Sequence, residues 1–103
     1  MNRRLIIRSE AETDLTDAAT WYEGREPGLG LELLSEVDSG IARALKNPES
    51  FTLVRRSPMV RRVLTRRFPY RIFFIVRPDA IVVLAVLHAA RHDQVWKHRA
   101  QHQ

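Results

Sequence analysis

The sequence contains no cysteine, which removes disulfides, thiolate zinc sites and a cysteine nucleophile together. Stability has to come from packing, and a reducing cytoplasm fits a chain without thiols. No apolar run approaches the ~18 residues that a membrane-spanning helix needs. The first nine residues place only three aliphatic side chains between charges, so a soluble protein without a signal peptide is expected. The third absence is local. Residues 50–78 hold eight arginines and not one acid, whereas ten of the twelve acids lie between Glu10 and Glu49. So dense a block of one sign suggests a polyanionic partner, either nucleic acid or an acidic protein. A solvated strand face is the plainer alternative.

What is present is one domain, residues 1–103, because a chain of this length completes a single core. Hydrophobic residues at 45% and charged residues at 28% place it among ordinary globular domains, which sets aside disorder and fibrous repeats. Arg4-Leu5-Ile6-Ile7-Arg8 reads as a strand. Ser9 with Glu12 has the spacing of a capping box that opens a helix. In that helix Ala11, Leu15, Ala18, Ala19 and Tyr22 form one apolar face, leaving Asp14, Asp17 and Glu23 outside. Pro27-Gly28 breaks it. A second helix carries Leu29, Leu33, Leu34, Val37, Ile41, Ala44 and Leu45 as far as Asn47-Pro48. So short a link makes the pair an antiparallel hairpin.

From Phe51 the period changes to two, with strands at Val60 to Leu64, Tyr70 to Val76 and Ala80 to Leu87 joined by short proline turns. Tyr70 to Val76 is nearly apolar throughout, so it should be the central strand with both faces covered. Asp93 to Arg99 suits a short helix with Asp93 as its cap, and Ala100 to Gln103 should fray. The expected fold is α+β. An N-terminal strand, the hairpin and a three-stranded antiparallel meander make one layer of helices over a four-stranded, largely antiparallel sheet, followed by a short C-terminal helix.

This order resembles that of the ParE/RelE toxins over nearly the whole chain. The markers are Ala18-x-x-Trp21-Tyr22, Gly28-Leu29-Gly30, Arg66-Arg67-Phe68-Pro69-Tyr70 and Val83-Leu84-Ala85-Val86-x-His88-x-x-Arg91, and they look closer to the ParE branch. The resemblance implies the toxin of a type II toxin–antitoxin system of plasmid-stabilisation type, with a cognate antitoxin that wraps and neutralises it in a hetero-oligomer. RelE-like toxins cut messenger RNA on the ribosome by driving a 2′-OH onto the adjacent phosphate, which needs a base, an acid and cations for the phosphorane. Arg71 and Arg91 match that branch's phosphate-binding arginines, and Arg62 stands where it often has a lysine. Its C-terminal tyrosine is replaced near Trp96 or Lys97, which leaves His88 and His92 as proton carriers. His88 is free by sequence to face the side of Arg71 or the core. ParE-like toxins resemble inhibitors of DNA gyrase and need no active site. On that reading Arg61, Arg62, Arg66 and Arg67, with Lys97 and Arg99 of the tail, contact gyrase or its DNA.

Other candidates carry less. His88 and His92 have helical metal spacing but sit at a strand end without a third ligand, so two surface histidines are the plainer reading and neither metal nor cofactor is expected. Trp21 and Tyr22 resemble a base-stacking platform, though core residues locking the hairpin are commoner. Ser9 has a capping role and no histidine–acid pair beside it. More apolar surface is present than one hairpin can cover, so an antitoxin segment is expected on Leu29, Leu33, Val60 and Val63, as a helix in a groove or a strand added near Val60 to Leu64. Three functions follow: a gyrase poison without catalysis, a ribosome-dependent endoribonuclease using Arg71, Arg91 and His88, and a non-toxic nucleic-acid-binding module.

Overall fold

The change of period at Phe51 divides the chain into a helical part and a sheet part, and the computed structural model, which describes residues 3–102, follows that division. Met1, Asn2 and Gln103 lie outside the described residues, and with them part of the expected leaderless start and the end of the expected frayed tail. Strand β1 (Arg4–Ile7) runs directly into helix α1 (Ser9–Arg25), residues 26–28 turn the chain, and helix α2 (Leu29–Lys46) returns along α1. A 3-10 turn at Pro48–Ser50 leads to β2 (Thr52–Arg55), β3 (Val60–Leu64), β4 (Tyr70–Val76) and β5 (Ala80–His88). Helix α3 (Gln94–Gln101) follows. No helix is long and apolar enough to cross a membrane among the described residues.

The sheet has five strands in the order β1-β5-β4-β3-β2, and it is mixed: β2 to β5 form an antiparallel meander, while β1 lies parallel to β5. The α+β class and the element order agree with the sequence reading, but the expectation of four strands is corrected. Strand β2 escapes a periodicity argument because it is four residues long and interrupted by a register shift between Leu53 and Arg55. Its position also closes the edge beside Val60 to Leu64, so no strand can be added there. The free edges belong to β1 and β2.

Strand β4 is central and alternates between two cores. Ile72 and Phe74 meet Leu33, Val37 and Ile41 of the hairpin, whereas Phe73 and Ile75 face the opposite side. There Trp96 and Ala100 of α3 cover the sheet, with the indole stacked on Phe73 at 5.0 Å. The expected fraying at Ala100 is therefore corrected: its side chain is buried, because the second face of a central apolar strand needs a lid.

One further local reading changes. The Ser9–Glu12 capping box does not form. Arg8 occupies the cap position, its carbonyl accepts from the Glu12 amide, and the Ser9 hydroxyl turns to Glu10. Helix α2 is capped instead by Glu23 of α1, whose carboxylate accepts from the Gly28 amide at 2.9 Å and the Gly30 amide at 3.0 Å. Gly28 has φ of 90°, and a Cβ on Gly30 would lie 2.7 Å from the Ala19 carbonyl, so both glycines are required by this junction.

Strand β5 is buried from Ala80 to Leu87, yet β1 pairs only with Ala80 to Val83. Beyond that point its outer edge is completed by side chains. Asp14 of α1 accepts from the Val86 amide at 3.0 Å and from both Arg99 terminal nitrogens at 2.6 and 3.1 Å, and Arg99 donates to the Leu84 carbonyl at 3.0 Å. The two side chains are only 10% and 17% exposed. Asp14→Ala takes the ionic partner from a shielded guanidinium and the acceptor from the Val86 ladder amide, and should cost about 3 kcal/mol. Urea unfolding measures it, and a loss no larger than that of an exposed control such as Asp38→Ala would refute this account.

Candidate functional site

The residues proposed for chemistry sit where β4 begins and β5 ends. Residues directly opposite in an antiparallel pair share a face. Tyr70 pairs with His88 and Arg71 with Leu87, so His88 faces the helical hairpin and Arg71 faces α3. The structure does not bring Arg71, His88 and Arg91 to one face, as the ribonuclease reading requires.

Arg71 has a different task. Its guanidinium lies 5.1 Å over the Phe73 ring and donates to Asp93 Oδ1 at 2.6 Å, the Arg91 carbonyl at 2.7 Å and the His88 carbonyl at 3.5 Å. It ties the turn after β5 to the start of α3, and its side chain is only 12% exposed. Asp93 occupies the cap position expected of it, but its carboxylate meets Arg71 rather than the helix amides. His88 and His92 each accept a backbone amide at Nδ1, from Ala90 at 3.0 Å and Gln94 at 3.1 Å. Among the described residues no three histidine, aspartate or glutamate side chains are grouped to hold a metal ion.

On the hairpin side, Asp14, Asp17, Ala18, Tyr70, Val86, His88 and Arg91 line a cavity of about 220 Å³. Burial, aided by its neighbour Tyr22, pushes the Tyr70 phenol above its ordinary value of 10.0, so it keeps its proton at neutrality. Sequence reading left Asp14 and Asp17 outside. Asp17 is exposed, but Asp14 is shielded. The overlooked signal was the spacing of Asp14, since Ala11, Asp14 and Ala18 follow steps of three and four on one stripe and both alanines are buried. On the other side Arg62, Leu64, Thr65, Phe68, Pro69, Tyr70, Arg71 and Ala89 line a cavity of about 230 Å³.

The six basic residues assigned to a target divide sharply. Arg61 donates to the Phe51 carbonyl at 2.7 Å, Arg67 pairs with Glu32 at 2.7 Å, and Arg99 is held by Asp14. Arg99 is therefore an internal tie, and its placement in an exposed tail is corrected. The side chains of Arg62 and Arg66 have no polar partner among the described residues, and Lys97 rests near the Trp96 ring at 5.9 Å. The Arg66 and Arg67 amides both donate to Glu36 at 2.8 Å, and these bonds, that of Arg67 foremost, hold the Glu36 carboxyl below its ordinary range.

Of the apolar residues assigned to the antitoxin, Leu33, Val60 and Val63 are buried in the chain's own cores and Leu29 is half-buried. They serve packing because the sheet has a core on each face. Tyr22 packs against Phe68 at 5.0 Å, as a hairpin-locking residue should. Trp21 does not: it is 55% exposed, with Arg25 4.2 Å over its ring. Nearby, Ala19, Thr20, Glu23, Gly24, Gly30, Leu31 and Leu34 line an open groove of about 480 Å³ between the helices, and Leu31 is 72% exposed.

The Arg71 hydrogen bond, and then its charge, holds the Asp93 carboxyl below its ordinary value of 3.8. Its stabilising contribution is complete above that ordinary value and is lost as pH falls through the depressed folded value. Asp93→Asn should lower stability at neutral pH and flatten the decline on the acid side. Denaturant titrations from about pH 7 to pH 3 check this, and identical pH slopes for the two proteins would exclude it.

Residues 5–93 match the family described as ParE toxin of type II toxin-antitoxin system, parDE. Among solved structures, the chromosomal ParDE toxin–antitoxin system from P. aeruginosa is similar, with a TM-score of 0.73 and 18% identity over 84% of this chain and 95% of that one. This is a likeness of fold. No curated protein sequence matches. The family match spans most of the chain, from β1 to the residue before α3, and on that ground the chain belongs to the ParE toxin family of type II toxin–antitoxin systems.

Proposed function

We propose that the chain is a toxin that poisons DNA gyrase in the cytoplasm by binding, without chemistry of its own, and that a cognate antitoxin silences it within a hetero-oligomer. One observation carries the choice between the branches. Arg71, which a ribonuclease would aim at a phosphate, is bonded to Asp93 and two carbonyls on the sheet face opposite His88. An RNA phosphate would have to displace a charge-assisted bond and two backbone acceptors before any step began. Tyr70 keeps its proton and supplies no base. A binder has no such requirement. Arg62, Arg66 and Lys97 lie on exposed or half-exposed surface, where gyrase or its DNA can meet them.

The groove between α1 and α2 supports an antitoxin seated as an amphipathic helix. Its lining is largely apolar, and Leu31 exposes more apolar surface there than a solitary domain gains from. The alternative of a strand added beside β3 is not supported, because β2 occupies that edge.

Pulse-labelling of new DNA and new protein within minutes of inducing the chain alone tests the target. DNA synthesis should fall first, and the purified chain should inhibit gyrase supercoiling. An earlier arrest of protein synthesis would sink the gyrase reading in favour of the ribonuclease, and harmless induction would favour a plain nucleic-acid-binding module. For the partner, Leu31→Glu should leave toxicity intact while weakening antitoxin rescue about tenfold or more. Undiminished rescue by the antitoxin would remove the groove from its binding surface.

A further inference from the structure

The cavity on the hairpin side of the β5 end has no part in the proposed poisoning, and it carries exposed side chains of both charge signs. Asp14 is fully engaged by Arg99 and the Val86 amide. The Asp17 carboxylate and the Arg91 guanidinium, by contrast, line the same cavity without an ion pair between them or any other side-chain partner among the described residues. His88 accepts the Ala90 amide at Nδ1, which leaves Nε2 as its N–H donor. Ala18 and Val86 supply apolar wall, and Tyr70 adds an aromatic ring set edge-on to the His88 imidazole at 5.5 Å.

A simple anion satisfies Arg91 and His88 but meets Asp17. A simple cation meets the reverse problem. The occupant that answers both is a flat ring with two adjacent donors on one edge and two acceptors on another. Guanine alone among the bases has that pattern, with N1–H and the N2 amino group beside each other and O6 beside N7. Adenine, cytosine and uracil each place an acceptor next to their donor and would set it against the carboxylate. The aromatic and apolar walls suit a base taken out of its stack.

We propose that this cavity binds a single unstacked guanine, with Asp17 accepting from N1–H and the N2 amino group and Arg91 donating to O6 and N7. Tyr70 and His88 border the ring. A free nucleotide and a base extruded from nucleic acid present the same chemistry.

The test is an NMR titration of the full chain with GMP, AMP, CMP and UMP, followed at the Ala18 and Val86 signals. GMP should give saturable shifts, with AMP about tenfold or more weaker. Asp17→Asn should abolish the preference, and Arg91→Ala should weaken GMP by a similar factor. Both variants should keep the wild-type thermal midpoint, since neither side chain has a partner to lose. Tighter binding of a single-stranded pentanucleotide with a central guanine than of GMP supports the proposal and assigns the base to nucleic acid, and the opposite order supports it with a free nucleotide. No shift at about 5 mM GMP, equal binding of all four nucleotides, or a guanine preference that survives Asp17→Asn overturns it. The readout uses the isolated chain, so it stands apart from the identity of the cellular target.

Discussion

Strand β5 is buried along eight consecutive residues, and a buried strand must satisfy its amides and carbonyls on both edges. Strand β4 meets one edge, but β1 ends at Ile7 and meets only half of the other. Asp14 and Arg99 complete the ladder where β1 stops, one accepting the Val86 amide and the other donating to the Leu84 carbonyl. Shielded ion pairs are often replaceable by apolar packing. This one is not of that kind, since an apolar substitute would leave two main-chain groups unpaired beside buried neighbours. The pair also joins α1 on one face of the sheet to α3 on the other, so a single contact closes the edge and holds both layers in place.

The same logic governs most of the arginine block. Eight arginines in residues 50–78 look, in sequence, like a surface held ready for a polyanion. In the fold Arg55 donates to the Ser57 carbonyl, Arg61 to that of Phe51, Arg67 to Glu32 and Arg71 to Asp93. The acids of the hairpin, remote in sequence, come back as partners in space: Glu36 receives the two amides of the loop before β4, and Glu32 receives its guanidinium. Within the block only Arg56, Arg62 and Arg66 have side chains with no partner among the described residues. Arginine content therefore overstates arginine availability, because a guanidinium has five donors and backbone carbonyls take them readily.

What was legible in the sequence is what a local period can carry. Leu33, Val37 and Ile41 announce their helix face, Tyr70 to Val76 its central place, and Pro27-Gly28 the turn between helices, and all stand where expected. Contacts decided between distant segments were not legible. Ser9 and Glu12 have the spacing of a cap, yet the capping carboxylate of the hairpin comes from Glu23 and serves the next helix. Trp96 could be placed near a lost tyrosine by resemblance, but only the fold makes it the cover over Phe73. The candidate site was the least readable part. A bulge in β5, where Leu84 is skipped opposite Phe73 and Phe74, places Leu84 and Ala85 in the same core, and it sets the register in which His88 meets Tyr70.

That register bears directly on catalysis against binding. Adjacent strand positions point to opposite faces, so a cation at Arg71 and a proton carrier opposite Tyr70 cannot converge unless one lies in a turn. Arg91 does lie in a turn, and it lines the cavity of His88 and Asp17, which Arg71 does not line. Catalysis tolerates little such scatter, because its groups must be held within about 0.5 Å of a productive arrangement. Association with a large, charged target tolerates a great deal of it. Each exposed cation adds its own screened attraction wherever it sits, and the partner's surface supplies the convergence. On the proposed reading, a small domain whose arginines mostly secure its own loops still retains enough charge for the second task.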